Sequence, residues 1–297
     1  MRFVDFFAGI GGIRLGLEQA GMKCVGFCEN DKYAAAAYRA MYDAEGEWFV
    51  EDVRAIDSSD VPKADLWTFG FPCQDLSICG KRKGLQEGER SGVFYEIVRL
   101  LSGLKKEDKP RWLLAENVKG LFSSGGGFDF LRCIVELGQC GYDCEWQVLN
   151  TKDFGVPQSR ERVFIVGHFD GVRRREIFPL ESANGENPIR IKQIGRLKNK
   201  KIDNPTSYRV YDNDGLSPTL NTAQGGGRVP VIVDKNGRMR RLTPREAWRL
   251  QGFPEEYIDK VERLGFSDSR LYKMAGNAVS VPVANAIGKK LMEVSYD

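Results

Sequence analysis

Arg2-Phe3-Val4-Asp5-Phe6-Phe7-Ala8-Gly9-Ile10-Gly11-Gly12 opens the chain with an apolar run of strand length and a glycine turn. Ile13, Leu15 and Leu17 follow in a stretch to Ala20 that reads as a helix, closed by Gly21. Strand, glycine turn and helix is the opening of a doubly wound nucleotide-type fold, where the turn lets backbone approach a ligand. The turn does not match G-x-G-x-x-G, because Arg14 holds the place of the last Gly, and no Gly-Lys-Ser/Thr follows. Both the dinucleotide fingerprint and the phosphate loop are therefore disfavoured.

The pattern repeats downstream. Lys23 to Cys28 reads as a second strand ending in Glu29. An acid at that place grips ribose hydroxyls in nucleotide folds, although Glu29-Asn30-Asp31 also reads as the cap of a helix over Lys32 to Met41. Trp48 to Glu51, followed by Asp52, is a short third strand, and Ala64 to Phe69 a fourth. The fourth ends in Gly70-Phe71-Pro72-Cys73-Gln74. Pro72 fixes φ and cannot donate to a ladder, so the strand stops there. Ligands of open α/β sheets bind at the carboxyl ends of strands. Cys73 is thus a candidate nucleophile, against the ordinary reading of a cysteine as a small buried hydrophobe.

A polar loop from Asp75 to Gly92 leads to a helix over Val93 to Leu104. Trp112 to Ala115 reads as a fifth strand, ending in Glu116-Asn117-Val118, and Phe128 to Leu137 as a helix. Trp146 to Leu149 is strand-like, and Gln158, Arg160 and Arg162 lead into another apolar run, Val163 to Gly167. Alternate positions share one face of a strand, so these three polar groups are expected to point the same way. The alternation predicts a mostly parallel sheet with helices on both faces. After about Arg175 the segments shorten and carry Pro, Asn and Gly. Val231-Ile232-Val233 and Arg238-Met239-Arg240 flank a hairpin signal, Asp234-Lys235-Asn236-Gly237. Thr243-Pro244-Arg245-Glu246 has the form of a capping box starting a helix to Leu250. A last helix is expected over Val283 to Met292.

Charge is close to balanced over the 297 residues, with 44 Lys and Arg against 41 Asp and Glu. Asp170 to Leu250 nevertheless carries 17 basic and 9 acidic residues. A basic segment beside an acidic remainder suits a polyanion docking on one side, and a solvated charged surface accounts for it equally. The seven Cys are scattered, which reads as a reduced cytosolic protein without structural zinc. No apolar run reaches the ~20 residues of a membrane span. The one His, His168, carries no hydrolase signature, so a Cys–His hydrolase is disfavoured.

Asp5-Phe6-Phe7-Ala8-Gly9-Ile10-Gly11-Gly12, Gly70-Phe71-Pro72-Cys73-Gln74, Glu116-Asn117-Val118, Gln158-x-Arg160-x-Arg162, Arg241-Leu242-Thr243-Pro244-Arg245-Glu246 and Gly276-Asn277-Ala278-Val279 occur in this order. Together they resemble the ordered motifs of the DNA (cytosine-5) methyltransferases, from Asp5 to Val283. The unmatched stretch, about Phe169 to Arg240, holds the place of that family's variable target-recognition region. The resemblance implies an α/β, doubly wound, Rossmann-like S-adenosylmethionine-dependent sheet with a small β-rich target-recognition domain. It divides the chain into a catalytic, cofactor-binding domain (1–185 plus 272–297), a target-recognition domain (186–240) and a connecting segment (241–271).

What the resemblance implies for the site is specific. Cys73 adds to cytosine C6; Glu116 bonds N3 and the exocyclic amine and supplies a proton, a role that favours a raised carboxyl pKa. Arg162 holds O2, and Arg160 supports the site. S-adenosylmethionine gives the methyl and leaves as S-adenosylhomocysteine, and no metal is needed. Phe7, Gly9, Ile10, Gly11, Gly12, Glu29, Asn30, Asp52, Pro72 and Asn277 resemble the cofactor ligands. Gln74, Ser77, Cys79, Lys81, Arg82, Lys83, Thr219 and Gly226 are the implied DNA contacts, with the three basic residues meeting phosphates. The target base must leave the duplex stack. Double-stranded DNA is the implied partner, a restriction endonuclease of the same system the implied companion, and a cytoplasmic, nucleoid-associated monomer the implied state. Competing readings are a tRNA cytosine-5 methyltransferase, whose Cys-Phe-Thr signature is absent, a DNA-binding pseudoenzyme, and a nicotinamide-dependent oxidoreductase.

Overall fold

The computed structural model describes residues 1–71, 92–169, 176–182, 189–197, 207–223, 228–234 and 236–296. A seven-stranded sheet is built from β1 (Arg2–Phe6), β2 (Lys23–Cys28), β3 (Trp48–Val50), β4 (Leu66–Gly70), β5 (Trp112–Val118), β6 (Tyr142–Asn150) and β8 (Glu161–Phe169). Their order is β3-β2-β1-β4-β5-β8-β6. β3 through β5 are parallel neighbours, and β8 runs antiparallel between β5 and β6. The order reverses direction between β1 and β4, which opens a crevice at their carboxyl ends.

The strands read as nearly continuous apolar runs because both sheet faces are covered. Successive side chains alternate between the faces. Trp67, Phe69, Leu113, Ala115, Val163 and Ile165 join one core, with Phe94, Ile97 and Leu101 of the helix Val93–Gly103. Leu66, Trp112, Leu114, Phe164 and Val166 join the other, with Ile13 and Leu17 of α1 (Gly12–Gln19) and Val283, Ile287 and Leu291 of the last helix, Val281–Tyr296. Gly16 is what lets those two helices meet, since a Cβ there would lie 2.6 Å from Ala284 Cβ and from Val281 O.

α2 (Lys32–Tyr42) covers β2, and α3 (Val93–Gly103) and α4 (Phe128–Gln139) follow in chain order. The expected connecting segment, 241–271, is largely helical: α5 (Pro244–Arg249), α6 (Glu255–Glu262) and the start of α7 (Asp268–Asn277), followed by α8 (Val281–Tyr296). It has a core of its own, where Trp248, Phe253, Ile258, Leu271 and Met274 pack with Ile10, Leu15, Ala34 and Met41 of the sheet domain. The capping box forms as expected, Thr243 and Glu246 satisfying each other's backbone amides. α6 escapes a reading of periodicity because it buries only Ile258 and Val261. Its acids instead bind α5, Glu255 and Glu262 at 2.7 and 2.6 Å from the Arg245 guanidinium, with Asp259 also paired to it.

The β-rich part is a four-stranded sheet, ordered β13-β12-β10-β9, made of β9 (Gln193–Arg196), β10 (Arg209–Asp212), β12 (Val231–Val233) and β13 (Met239–Arg241). β12 and β13 pair antiparallel as the hairpin signal predicts, with Gly237 at φ 75°. The short β7 (Gln158–Ser159) pairs with β11 (Ser217–Pro218) and so fastens this region to the large sheet's polar strand end.

Candidate active site

A cavity of about 370 Å³ opens at the carboxyl ends of β1, β2, β4 and β5. One wall carries Phe7, Gly9 and Ile10 with Glu29, Asn30 and Asp31; the opposite end carries Glu116, Asn117, Arg160 and Arg162. Gly70, Phe71 and Val93 line it between them, and Lys273, Met274, Gly276 and Asn277 of α7 close it from the C-terminal side.

Glu116 lies two residues before Val118, which faces Arg162 across the β5–β8 ladder. Glu116 and Val118 share a face, so the acid and the guanidinium meet diagonally. Arg162 Nε is 3.1 Å from Glu116 Oε1, with the side chains 15% and 12% exposed. Burial pushes the Glu116 carboxyl above the ordinary range, opposed first by Arg162 and then by Arg160. This ion pair therefore exists as a link between adjacent strands, and it also lines the cavity.

The expected common direction of Gln158, Arg160 and Arg162 does not hold. β7 ends at Ser159 and β8 begins at Glu161, so Arg160 lies between two ladders and the period is broken. Gln158 is buried away from the cavity, donating to Leu250 O at 2.6 Å and accepting from Leu220 N at 3.0 Å. Arg160 lines the cavity but spends its guanidinium on backbone: it donates to Leu220 O (3.0 Å), Gly276 O (3.0 Å) and Ala278 O (2.8 Å).

The glycine turn divides in two. A Cβ on Gly9 would meet nothing within 4 Å, so this residue faces open cavity. On Gly11 it would lie 2.5 Å from the Tyr42 ring, and on Gly12 2.1 Å from Val279 O. Gly11 and Gly12 thus allow close packing against Tyr42 and Val279, and neither is among the residues lining the cavity. Phe7, which does, is held in the left-handed region at φ 54°. Glu29 is buried, its two oxygens accepting from Gly9 N and Asp31 N, each at 2.7 Å. Burial raises its pKa and these amides oppose the rise. Asn30 stands exposed at the rim. Asp52, expected beside the cofactor ring, instead lies exposed outside the cavity lining and caps the turn Val53–Ala55 through Arg54 N at 3.0 Å.

Thr219 lines a separate cleft of about 130 Å³ with Arg209, Tyr211 and Arg228, and donates to Ser159 O at 2.7 Å. Pro72, Cys73, Gln74, Ser77, Cys79, Lys81, Arg82, Lys83 and Gly226 lie outside the described residues. Two contributors went unread in the sequence. Asn117 donates to Phe71 O at 2.8 Å, fixing the end of β4; its place inside Glu116-Asn117-Val118 was the available signal. Lys273, 2.6 Å from Asp31, had none beyond its charge. Among the described residues, no group of His, Cys, Asp or Glu is placed to hold a metal, and no helix is long and apolar enough to cross a membrane.

An α/β sheet with an acid at the end of its second strand, and a carboxylate–guanidinium pair sharing that cavity, defines a doubly wound fold with a polar ligand crevice at the carboxyl ends of its strands. The chain belongs to the C-5 cytosine-specific DNA methylase family, whose model matches residues 1–227 and 216–293. It is accordingly a DNA cytosine-5 methyltransferase, of a class that uses S-adenosylmethionine. It is 37% identical to the Type II methyltransferase M.NgoBI of Neisseria gonorrhoeae over 96% of this chain and 91% of that one. It is 35% identical to the Type II methyltransferase M1.ScrFI of Lactococcus lactis subsp. cremoris over 99% of this chain and 78% of that one. The fold matches the Dnmt2 methyltransferase of S. pombe with a TM-score of 0.76 at 20% identity, over 99% of both chains. It also matches the Entamoeba histolytica methyltransferase EhMeth with a TM-score of 0.73 at 18% identity, over 99% of this chain and 98% of that one.

Proposed function

We propose that this enzyme methylates C5 of a cytosine swung out of a specific duplex DNA sequence, through a covalent bond from Cys73 to C6. The observation that carries the reading is the single cavity, where the Glu29 and Glu116 ends face each other and whose wall includes Phe71. Cys73 follows Phe71 by two positions in the sequence.

The residues of the first end suit S-adenosylmethionine: Gly9 leaves room for it, and the buried Glu29 carboxylate can accept from ribose hydroxyls. When bound, it supplies an electrophilic methyl group. At the other end Arg162 holds the cytosine O2, and Glu116 meets N3 and the exocyclic amine. The raised pKa of Glu116 keeps a larger fraction of it protonated at neutral pH, ready to give a proton to N3 as the thiolate adds to C6. This addition makes C5 electron-rich. Loss of the C5 proton to solvent, with the N3 proton returning to Glu116 as the C6–S bond breaks and the thiolate leaves, completes the reaction. Arg160 holds the backbone around the site. The loop residues Gln74, Ser77, Cys79, Lys81, Arg82 and Lys83, with Thr219 and Gly226, contact the DNA. The setting is a bacterial cytoplasm, the enzyme a monomer that protects sites from a companion restriction endonuclease.

Duplex DNA carrying 5-fluorocytosine tests this, because fluorine cannot leave as a proton does. The protein with S-adenosylmethionine should form a protein–DNA adduct that survives denaturation, and Cys73→Ser should not. An adduct that persists in the serine variant, or its absence under conditions of good DNA binding, would refute the Cys73 mechanism.

A further inference from the structure

We propose that Lys273 is a positioning residue for the cofactor end of the cavity, acting through Asp31 on Glu29. The inference rests on the reading of that end as the S-adenosylmethionine site. The observation is a continuous chain of polar contacts. Lys273 Nζ lies 2.6 Å from Asp31 Oδ2. Asp31 Oδ1 accepts from Tyr33 N and Ala34 N, at 3.0 and 3.3 Å, and so caps α2. The Asp31 amide in turn donates to Glu29 Oε1 at 2.7 Å, while Glu29 Oε2 accepts from Gly9 N. A side chain from α7, 242 residues from Asp31 in sequence, thereby sets the backbone amide that aims the Glu29 carboxylate.

Charge gives the same assignment. Three cations line the described part of the cavity wall, Arg160, Arg162 and Lys273. The two arginines serve the Glu116 end, leaving Lys273 to face Glu29 and Asp31. Without it, two acids adjoin in a partly buried cleft, each disfavouring ionisation of the other.

A role confined to holding α2 in place does not explain the pair. The far end of α2 is already tied by Lys260 Nζ, which donates to Met41 O at 2.9 Å. Its near end is tied by the Arg270 guanidinium, 3.5 Å above the Tyr33 ring. Lys273 is 40% exposed, and exposed ion pairs add little to folding. The consequence of this pair is local to the cavity it lines.

Calorimetric binding of S-adenosylhomocysteine to the full chain tests the inference. Lys273→Met should weaken binding about three- to tenfold, the effect of one partly exposed charge-assisted hydrogen bond. In turnover, KM for S-adenosylmethionine should rise by more than kcat falls. Lys273→Arg should restore affinity to within about twofold, since a guanidinium also pairs with a carboxylate. Asp31→Asn should weaken binding similarly, and the double variant with Lys273→Met should be no worse than either alone. Wild-type affinity in Lys273→Met, or additive losses in the double variant, would overturn the assignment. Failure of the wild-type chain to bind S-adenosylhomocysteine would instead bring down the cofactor reading, and this inference with it.

Discussion

Replacing Asp5 by Asn should change how stability depends on pH, and the size follows from where Asp5 sits. It is 1% exposed at the core of β1, directly before the glycine turn. Thr68 Oγ1 donates to its Oδ1 at 2.7 Å, and its Oδ2 has no hydrogen-bond partner among the described residues. Burial drives its pKa from 3.8 to about 7, against smaller opposing effects of Thr68 and Arg14. The native chain therefore holds this proton up to about pH 7, whereas the unfolded chain releases it near pH 4. Between those values the native state binds more protons, so the stabilisation present at low pH is lost as pH rises. Three units at 1.36 kcal/mol each give ~4 kcal/mol in all, of which ~2–3 kcal/mol falls between pH 5 and 8. Asn keeps the acceptor for Thr68 and has no proton to lose. Urea unfolding of both proteins at pH 5, 6, 7 and 8 reads the difference. The variant should gain on the wild type by ~2–3 kcal/mol across that range, whatever constant offset the amide introduces. Curves that stay parallel within about 0.5 kcal/mol would refute the argument.

Glu116→Gln should lower kcat about 10²- to 10⁴-fold, as loss of a proton donor does, while leaving S-adenosylhomocysteine affinity nearly unchanged. The wild-type rate should fall on the alkaline side as Glu116 loses its proton, and a pH–rate profile of the Gln variant should lack that limb. Gly12→Ala forces a Cβ to 2.1 Å from Val279 O and should cost about 1–3 kcal/mol or prevent folding, read as soluble yield and urea midpoint. Arg160→Met leaves three buried carbonyls without their donor and should destabilise by about 3 kcal/mol, with weaker DNA binding seen in a titration.

The sheet was legible because its strands are short apolar runs ending in Gly, Pro or an acid, and tertiary contacts reinforce that pattern. Glu29, Glu116 and Arg162 could be placed because strand ends fix where such side chains emerge. The cap that Asp52 makes with the amide of Arg54 was not legible, since nothing in the sequence distinguishes a strand-end acid that caps the next turn from one that faces the cavity. The close packing of Gly11 and Gly12 was not legible either, because a glycine beside a ligand and a glycine against a neighbouring helix look identical in one dimension. α6 and α7 were missed because their cohesion comes from ion pairs and from a core shared with distant segments, neither of which leaves a period in the sequence. Lys273 belongs to the same class, its partner lying far along the chain.

The Arg160 guanidinium grips one carbonyl from the segment between β11 and β12, Leu220, and two from the end of α7 beside the cavity, Gly276 and Ala278. Its planar fork is stiff, so the three carbonyls move as one body. On the proposed function, a duplex that shifted Leu220 on docking would pull on the wall of the cavity through this rivet, and a cofactor settling against Gly276 would preset the surface that meets DNA. Thermodynamic linkage would make such a trade symmetric: any factor by which DNA tightened cofactor binding would equal that by which cofactor tightened DNA binding.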